Sequence, residues 1–171
     1  MRILVSAASD HGSTAEIAGV VGEVLIGRGI QADVVAAADV GALDDYDAIV
    51  LGSAVYMGHW LPAATRLAER IGAERPGVPV WLFSSGPVGD PAGTFARQMR
   101  VDAAELPAVR AATVAGEQRI FAGKLDRQHL RGFQRVATWL VRGVVGDFRD
   151  WGEIRDWAAS IADQATAAQA A

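Results

Sequence analysis

The sequence predicts an α/β protein, a doubly wound sheet of five parallel strands with helices on both faces. Three observations lead there. Short apolar runs alternate with stretches of helical periodicity along the chain, which is the pattern of βαβ units. The runs are almost continuously apolar, as strands covered on both faces are. The first run ends in a turn, Ser9-Asp10-His11-Gly12-Ser13-Thr14, that opens a helix; such turns sit at the C-terminal strand edge, where doubly wound sheets bind ligands.

Each element has its own local signal. Residues 2–7, around Ile3-Leu4-Val5, read as a buried strand, and 13–28 as a helix whose inner side carries Ile17, Val20, Val21, Val24 and Leu25. Gly29 is placed to end it. Ala32–Ala37 is the second strand. Ala48–Leu51 is the third, introduced by the acidic turn Asp44-Asp45-Tyr46-Asp47. A helix over Leu61–Ile71 carries Pro62 in its first turn, and Arg75-Pro76-Gly77 turns the chain into a fourth strand, Pro79–Ser84. Residues 92–101 and 103–114 read as helices, Pro107 limiting the latter to a start or a kink. Gln118–Gly123 is the fifth strand. Asp150, with Glu153 three residues on, opens a last helix in a capping-box pattern, and the Ala-rich tail from Ala165 is expected to fray.

Composition narrows the function. With 171 residues, half of them hydrophobic, one domain over 1–171 can bury a substantial core. No internal repeat or linker divides it. A net charge of −4 argues against a dedicated nucleic-acid binder, which concentrates Lys and Arg. The absence of cysteine removes disulfides, thiolate metal sites, iron–sulfur clusters and cysteine nucleophiles together. No apolar run approaches the roughly 18 residues that cross a bilayer, and no signal peptide is evident, so a soluble cytoplasmic protein is expected.

Three turns at the C-terminal sheet edge are expected to form the site: 9–14, 53–60 and 84–90. In the first, backbone N–H groups at the helix start, hydroxyls of Ser9, Ser13 and Thr14, and the close approach that Gly12 permits make a phosphate cradle. A hydroxyl-capped helix start without ligand is the competing reading. Asp10 suits phosphate only if it points to solvent; His11 is either a protonated helper or a solvated turn residue. In the second turn, Tyr56 and Trp60 are able to stack on a planar ring with Met57 at its edge, and backbone groups of 53–58 can bond a heterocycle. The alternative for Trp60 is to staple the next helix to the sheet, and His59 is either a proton relay or a helix-start residue in water. The third turn, Ser84-Ser85-Gly86-Pro87-Val88-Gly89-Asp90, is an open Gly/Pro loop able to cover a ring's other side. No metal-ligand cluster and no catalytic acid, base or nucleophile emerges. A P-loop needs Lys after its glycines, a dinucleotide fingerprint three spaced glycines, an α/β-hydrolase Gly-x-Ser-x-Gly, and a receiver domain an Asp where Gly52-Ser53 stand; none is met.

Taken together, these turns resemble the flavodoxin family, and more narrowly its protoporphyrinogen IX dehydrogenase branch, which uses menaquinone. Ser9-x-x-Gly12-x-Thr14 followed by Glu16-Ile17-Ala18 is similar to the family's phosphate loop. Gly52-Ser53-Ala54 with Gly58-His59 is similar to the branch's first ring-binding loop, and Ala122-Gly123 and Asp150-Trp151 also fit. The resemblance implies a flavodoxin-like sheet of strand order 2-1-3-4-5 and FMN as cofactor. It places the FMN phosphate on Ser9, Asp10, His11, Gly12, Ser13 and Thr14. The isoalloxazine falls between Ser53, Ala54, Val55, Tyr56, Met57 and Gly58 on one side and Ser85, Gly86, Pro87, Val88 and Gly89 on the other. Tyr56-Met57 departs from the branch.

The branch also carries an insertion before the last helix, here 124–147. Within it, 127–145 is amphipathic, with Arg127, Arg131 and Arg135 opposite Leu130, Phe133, Ala137, Leu140, Val141 and Val144. That helix either lies on an anionic membrane, where quinone is found, or packs on the core. The resemblance implies a flavin-dependent oxidoreductase with a redox partner or a quinone- or porphyrin-like small molecule. The alternatives are a plain electron carrier and an FMN-free binding module of the same fold.

Overall fold

Alternate residues of the first strand face opposite ways, and this divides the core in two. In the computed structural model, which describes residues 1–86, 103–125 and 146–170, strand β1 (Arg2–Ala8) sends Ile3, Val5 and Ala7 to one apolar cluster and Leu4 and Ala8 to the other. Helices α1 (Ser13–Gly27) and α4 (Trp151–Ala170) cover the first face; α2 (Pro62–Glu74) and α3 (Leu106–Thr113) cover the second. A strand buried on both faces is nearly continuous in apolar residues, which is why Ile3-Leu4-Val5 reads as a run; the buried Ser6 is its polar exception.

Beside β1 lie β2 (Gln31–Ala36) and β3 (Ala48–Tyr56), all parallel, with Val5 in register with Val34 and Val50. A two-residue strand, β4 (His59–Trp60), folds back antiparallel on the end of β3. Then come β5 (Val80–Ser85) and β6 (Glu117–Phe121), giving β2-β1-β3-β5-β6. Without the short β4, this is the expected order 2-1-3-4-5. A separate ribbon pairs β7 (Lys124–Leu125) with β8 (Gly146–Asp147). Its strands bracket the expected insertion, whose segment 127–145 lies outside the described residues, as do the expected helix 92–101 and Pro87, Val88 and Gly89.

Two expectations are corrected. The third strand runs on through Gly52, Ser53, Ala54 and Val55 to Tyr56 instead of ending at Leu51, because Gly52 to Ala54 pair with β5 and Gly52 and Ser53 also with β1. The C-terminal helix does not fray at Ala165, which is buried in the α1–α4 cluster; helix continues to Ala170. Pro107 stands in the first turn of α3, the place its fixed φ suits. Among the described residues, no helix is long and apolar enough to cross a membrane.

Helix α3 ends on Val114, a β-branched residue at φ 51° that is largely exposed. Left-handed backbone costs an L-residue about 1–2 kcal/mol and glycine almost nothing. Val114→Gly is therefore expected to raise stability by about 0.5–1 kcal/mol, allowing for the unfolded-state entropy of glycine. Urea unfolding measures it; a loss would show that Val114 has an unrecognised packing role.

Candidate cofactor-binding site

Helix α1 begins at a bare turn. Gly12 has φ +82°, and a Cβ built there meets nothing within 4 Å. The first helical bond runs from the Glu16 amide to the Gly12 carbonyl at 2.9 Å, and no side chain caps the turn. The hydroxyl-capped alternative is thereby removed. Among the described residues the buried Ser13 hydroxyl has no hydrogen-bond partner, and Thr14 is buried next to it in the chain. Uncapped N–H groups with the positive end of the dipole and an unsatisfied hydroxyl are a donor set for an anion. Asp10 lies exposed, Ser9 is half-buried, and His11 is exposed with its ring edge-on to Tyr56, centroids 6.0 Å apart.

That ring contact brings the first turn to the second. Tyr56-Met57-Gly58-His59 is a two-residue hairpin turn with Met57 at φ 50° and Gly58 at φ 82°. Positive φ at both central positions matches the twist of the strands it joins. Only the glycine takes it without strain. Met57 is 99% exposed and Tyr56 well exposed, so the tip presents bare apolar surface beside the first turn. Burial, then the Asp10 charge, raises the Tyr56 phenol above its ordinary value.

The base of the hairpin belongs to the core. Ser53 is fully buried, its hydroxyl accepting from the Leu61 amide at 2.9 Å and donating to the Ala54 carbonyl at 2.8 Å; Ala54 is buried too. Trp60 is buried, with its indole N–H on the Ser84 hydroxyl at 2.9 Å. It staples and does not stack on a ligand. Val55 is half-buried between these levels. On the third turn Ser85 is buried, and Gly86, at φ +127°, donates its amide to the Phe121 carbonyl at 3.0 Å. A Cβ on Gly123 would come 3.4 Å from the Gly86 Cα, so the backbones after β5 and β6 pass in contact.

Two residues the sequence did not mark hold these turns. Glu105 takes the His59 ring N–H at 2.7 Å and the Trp60 amide at 2.9 Å, while the Ala104 amide donates to the Gly58 carbonyl at 2.8 Å. Arg149, behind α1, is the other. No local pattern announces either; each acts across more than 40 positions of chain.

The His59 bond, more than the Trp60 amide, holds the Glu105 carboxyl below the usual glutamate value. A lowered folded value adds stability that is present above the unfolded pKa and lost as pH falls through the folded one. Urea unfolding should thus find wild type more stable than Glu105→Gln at neutral pH by about 0.5 kcal/mol, small because the pair is part-exposed. The gap should close below the ordinary glutamate range; a pH-independent gap would remove the charge from the explanation.

The donors at Gly12 to Ala15 are able to take an anion, and the exposed Tyr56-Met57 tip offers apolar surface to a planar group. The family model for a flavodoxin domain matches residues 4–150. Among solved structures, a flavodoxin from the Archaea is 18% identical with a TM-score of 0.65, covering 97% of this chain and 99% of that one. Oxidised flavodoxin 2 of Bacillus cereus is 19% identical at 0.62, covering 96% and 99%. Rubredoxin oxygen:oxidoreductase of Desulfovibrio gigas is 17% identical at 0.66, covering 99% of this chain and 37% of that one. A search of the curated proteins finds no match. The chain belongs to the flavodoxin family, and FMN is the cofactor that membership implies.

Proposed function

We propose that this protein is an FMN-dependent oxidoreductase. The observation that carries it is the junction of the uncapped turn at Gly12, with its unpartnered Ser13 hydroxyl, and the exposed apolar tip at Tyr56 and Met57. FMN, when bound, supplies reversible electron transfer; the protein supplies binding, orientation and electrostatics. Amides of residues 12–15 with Ser13 and Thr14 hold the phosphate dianion without a basic residue in the turn. Met57 and Tyr56 shield one side of the ring, and the turn from Ser85 and Gly86 through Pro87, Val88 and Gly89 the other. The clamp from Ala104 and Glu105 keeps the hairpin seated.

Within that reading we place the substrate as a quinone- or porphyrin-like molecule, as for a protoporphyrinogen IX dehydrogenase. The sequence likeness of Gly58-His59 to that branch, and the position of 124–147 before the last helix, support this. The full exposure of Met57 supports the other reading, an electron carrier docking on a protein, since a bare apolar tip suits a macromolecular surface. We place the protein in the cytoplasm, with 127–145 either packed on the core or in contact with an anionic membrane; equal recovery in the supernatant with and without anionic liposomes would end the membrane alternative.

The visible spectrum of purified protein, before and after adding FMN and desalting, is the test. Retained flavin bands stoichiometric with protein are expected. A colourless protein that does not retain FMN overturns the oxidoreductase reading. With flavin retained, oxidation of protoporphyrinogen by a quinone separates the dehydrogenase from the carrier, which turns over neither.

A further inference from the structure

Arg149 is the one buried charged residue among those described, its side chain 2% exposed. Its Nε donates to Asp147 Oδ1 at 2.8 Å and Nη2 to Oδ2 at 2.6 Å; Nη1 donates to Glu16 Oε2 at 2.7 Å and to the Ser13 carbonyl at 3.2 Å. The Trp151 ring lies 4.3 Å from the guanidinium carbon. Burying a guanidinium costs several kcal/mol unless it is paired and fully bonded. Here the compensation comes from two places: Asp147 on β8, and the first turn of α1. The Phe148 amide also bonds the Gly123 carbonyl at 3.2 Å, and Gly123 abuts Gly86.

We propose that Arg149 is a positioning residue for the phosphate end of the FMN site, fixing the first turn of α1 through Ser13 and Glu16 and tying it to the turn at Gly123. The inference rests on the FMN reading above. Arg149 acts by geometry and not as a phosphate ligand. Its hydrogen bonds go to carboxylates and a carbonyl, and two carboxylates against one guanidinium leave the cluster negative, the wrong sign to attract a dianion. The Arg149 bond, more than any other contact, holds the Asp147 carboxyl below its ordinary value. No local pattern marks Asp147 or Arg149 for a role, and Glu16 is marked only by its place after the phosphate loop.

The test compares FMN with riboflavin, which has the ring but no phosphate, by flavin fluorescence quenching. Arg149→Lys keeps the charge but loses the planar fork. FMN is expected to bind roughly tenfold more weakly, about 1.4 kcal/mol, with riboflavin changed less than about twofold. Glu16→Asp keeps the charge of a half-exposed surface residue but draws its carboxylate back one methylene; roughly a threefold loss for FMN alone is expected. Equal weakening of both flavins makes Arg149 a general structural support and overturns the inference, as does an unchanged FMN-to-riboflavin ratio in both variants. If Arg149→Lys does not fold, Glu16→Asp decides alone by the same criterion. A wild type that binds neither flavin sinks the FMN reading itself, and this inference with it.

Discussion

Replacing Phe83 with alanine is expected to destabilise the protein by about 3–5 kcal/mol. Phe83 is fully buried on β5, opposite Gly52 of β3 in register, and its ring lies over that glycine: a Cβ at 52 would sit 2.1 Å from it. The ring meets Phe121 at 6.1 Å and Trp157 at 5.8 Å between centroids, and those two meet at 5.4 Å. The aromatic trio joins two strands to α4 just below the site edge. Truncation removes the shared partner and leaves a cavity the sheet cannot close. The complementary change, Gly52→Val, overfills the same space and should cost about 1–3 kcal/mol. Combined, the two should cost clearly less than their sum, because the new side chain enters the space the ring leaves. Chemical denaturation of the four proteins of the cycle measures this; strict additivity would show that Gly52 and Phe83 do not share that space.

Gly12→Val is expected to weaken FMN binding roughly a hundredfold, the worth of about two charge-assisted hydrogen bonds at ~1.5 kcal/mol each. The cause is conformational and not steric, since the position faces open space. At φ +82° a β-branched residue is strained by about 2 kcal/mol or more and relaxes by turning the peptide, which swings the amides of the helix start away from a common point. The same variant should lose only about that strain energy in stability without flavin. Titration with FMN, beside urea unfolding of the flavin-free protein, separates the two. Unchanged FMN affinity would mean that the phosphate lies elsewhere.

The parts legible in the sequence were those with a local cause. Continuous apolar runs such as Ile3-Leu4-Val5 gave the doubly covered strands, and helical spacing from Ile17 to Leu25 gave the inner side of α1. The turn at Ser9 to Thr14 was legible as the start of α1 because a glycine and three hydroxyls stand where an apolar run gives way to helical spacing. The short hairpin was not. Its signal is only Met57-Gly58, and methionine is not a residue that favours positive φ. Gly52 reads as part of a ligand loop, yet it lies against the ring of Phe83, on a strand that begins 28 positions later in the chain.

By itself, then, the sequence determined the parallel sheet and its helices, and drew attention to a phosphate-like turn, because propensity, periodicity and turn chemistry act over a few residues. The tertiary structure alone decided which of the marked residues reach the surface. It sent Trp60 and Ser53 into the core and left Met57 bare, because burial depends on what packs above a residue. It alone recruited Glu105 and Arg149, whose charges are held by partners that only the fold brings within 3 Å. A buried guanidinium needs those partners, and no pattern of neighbours along the chain can show that it has them.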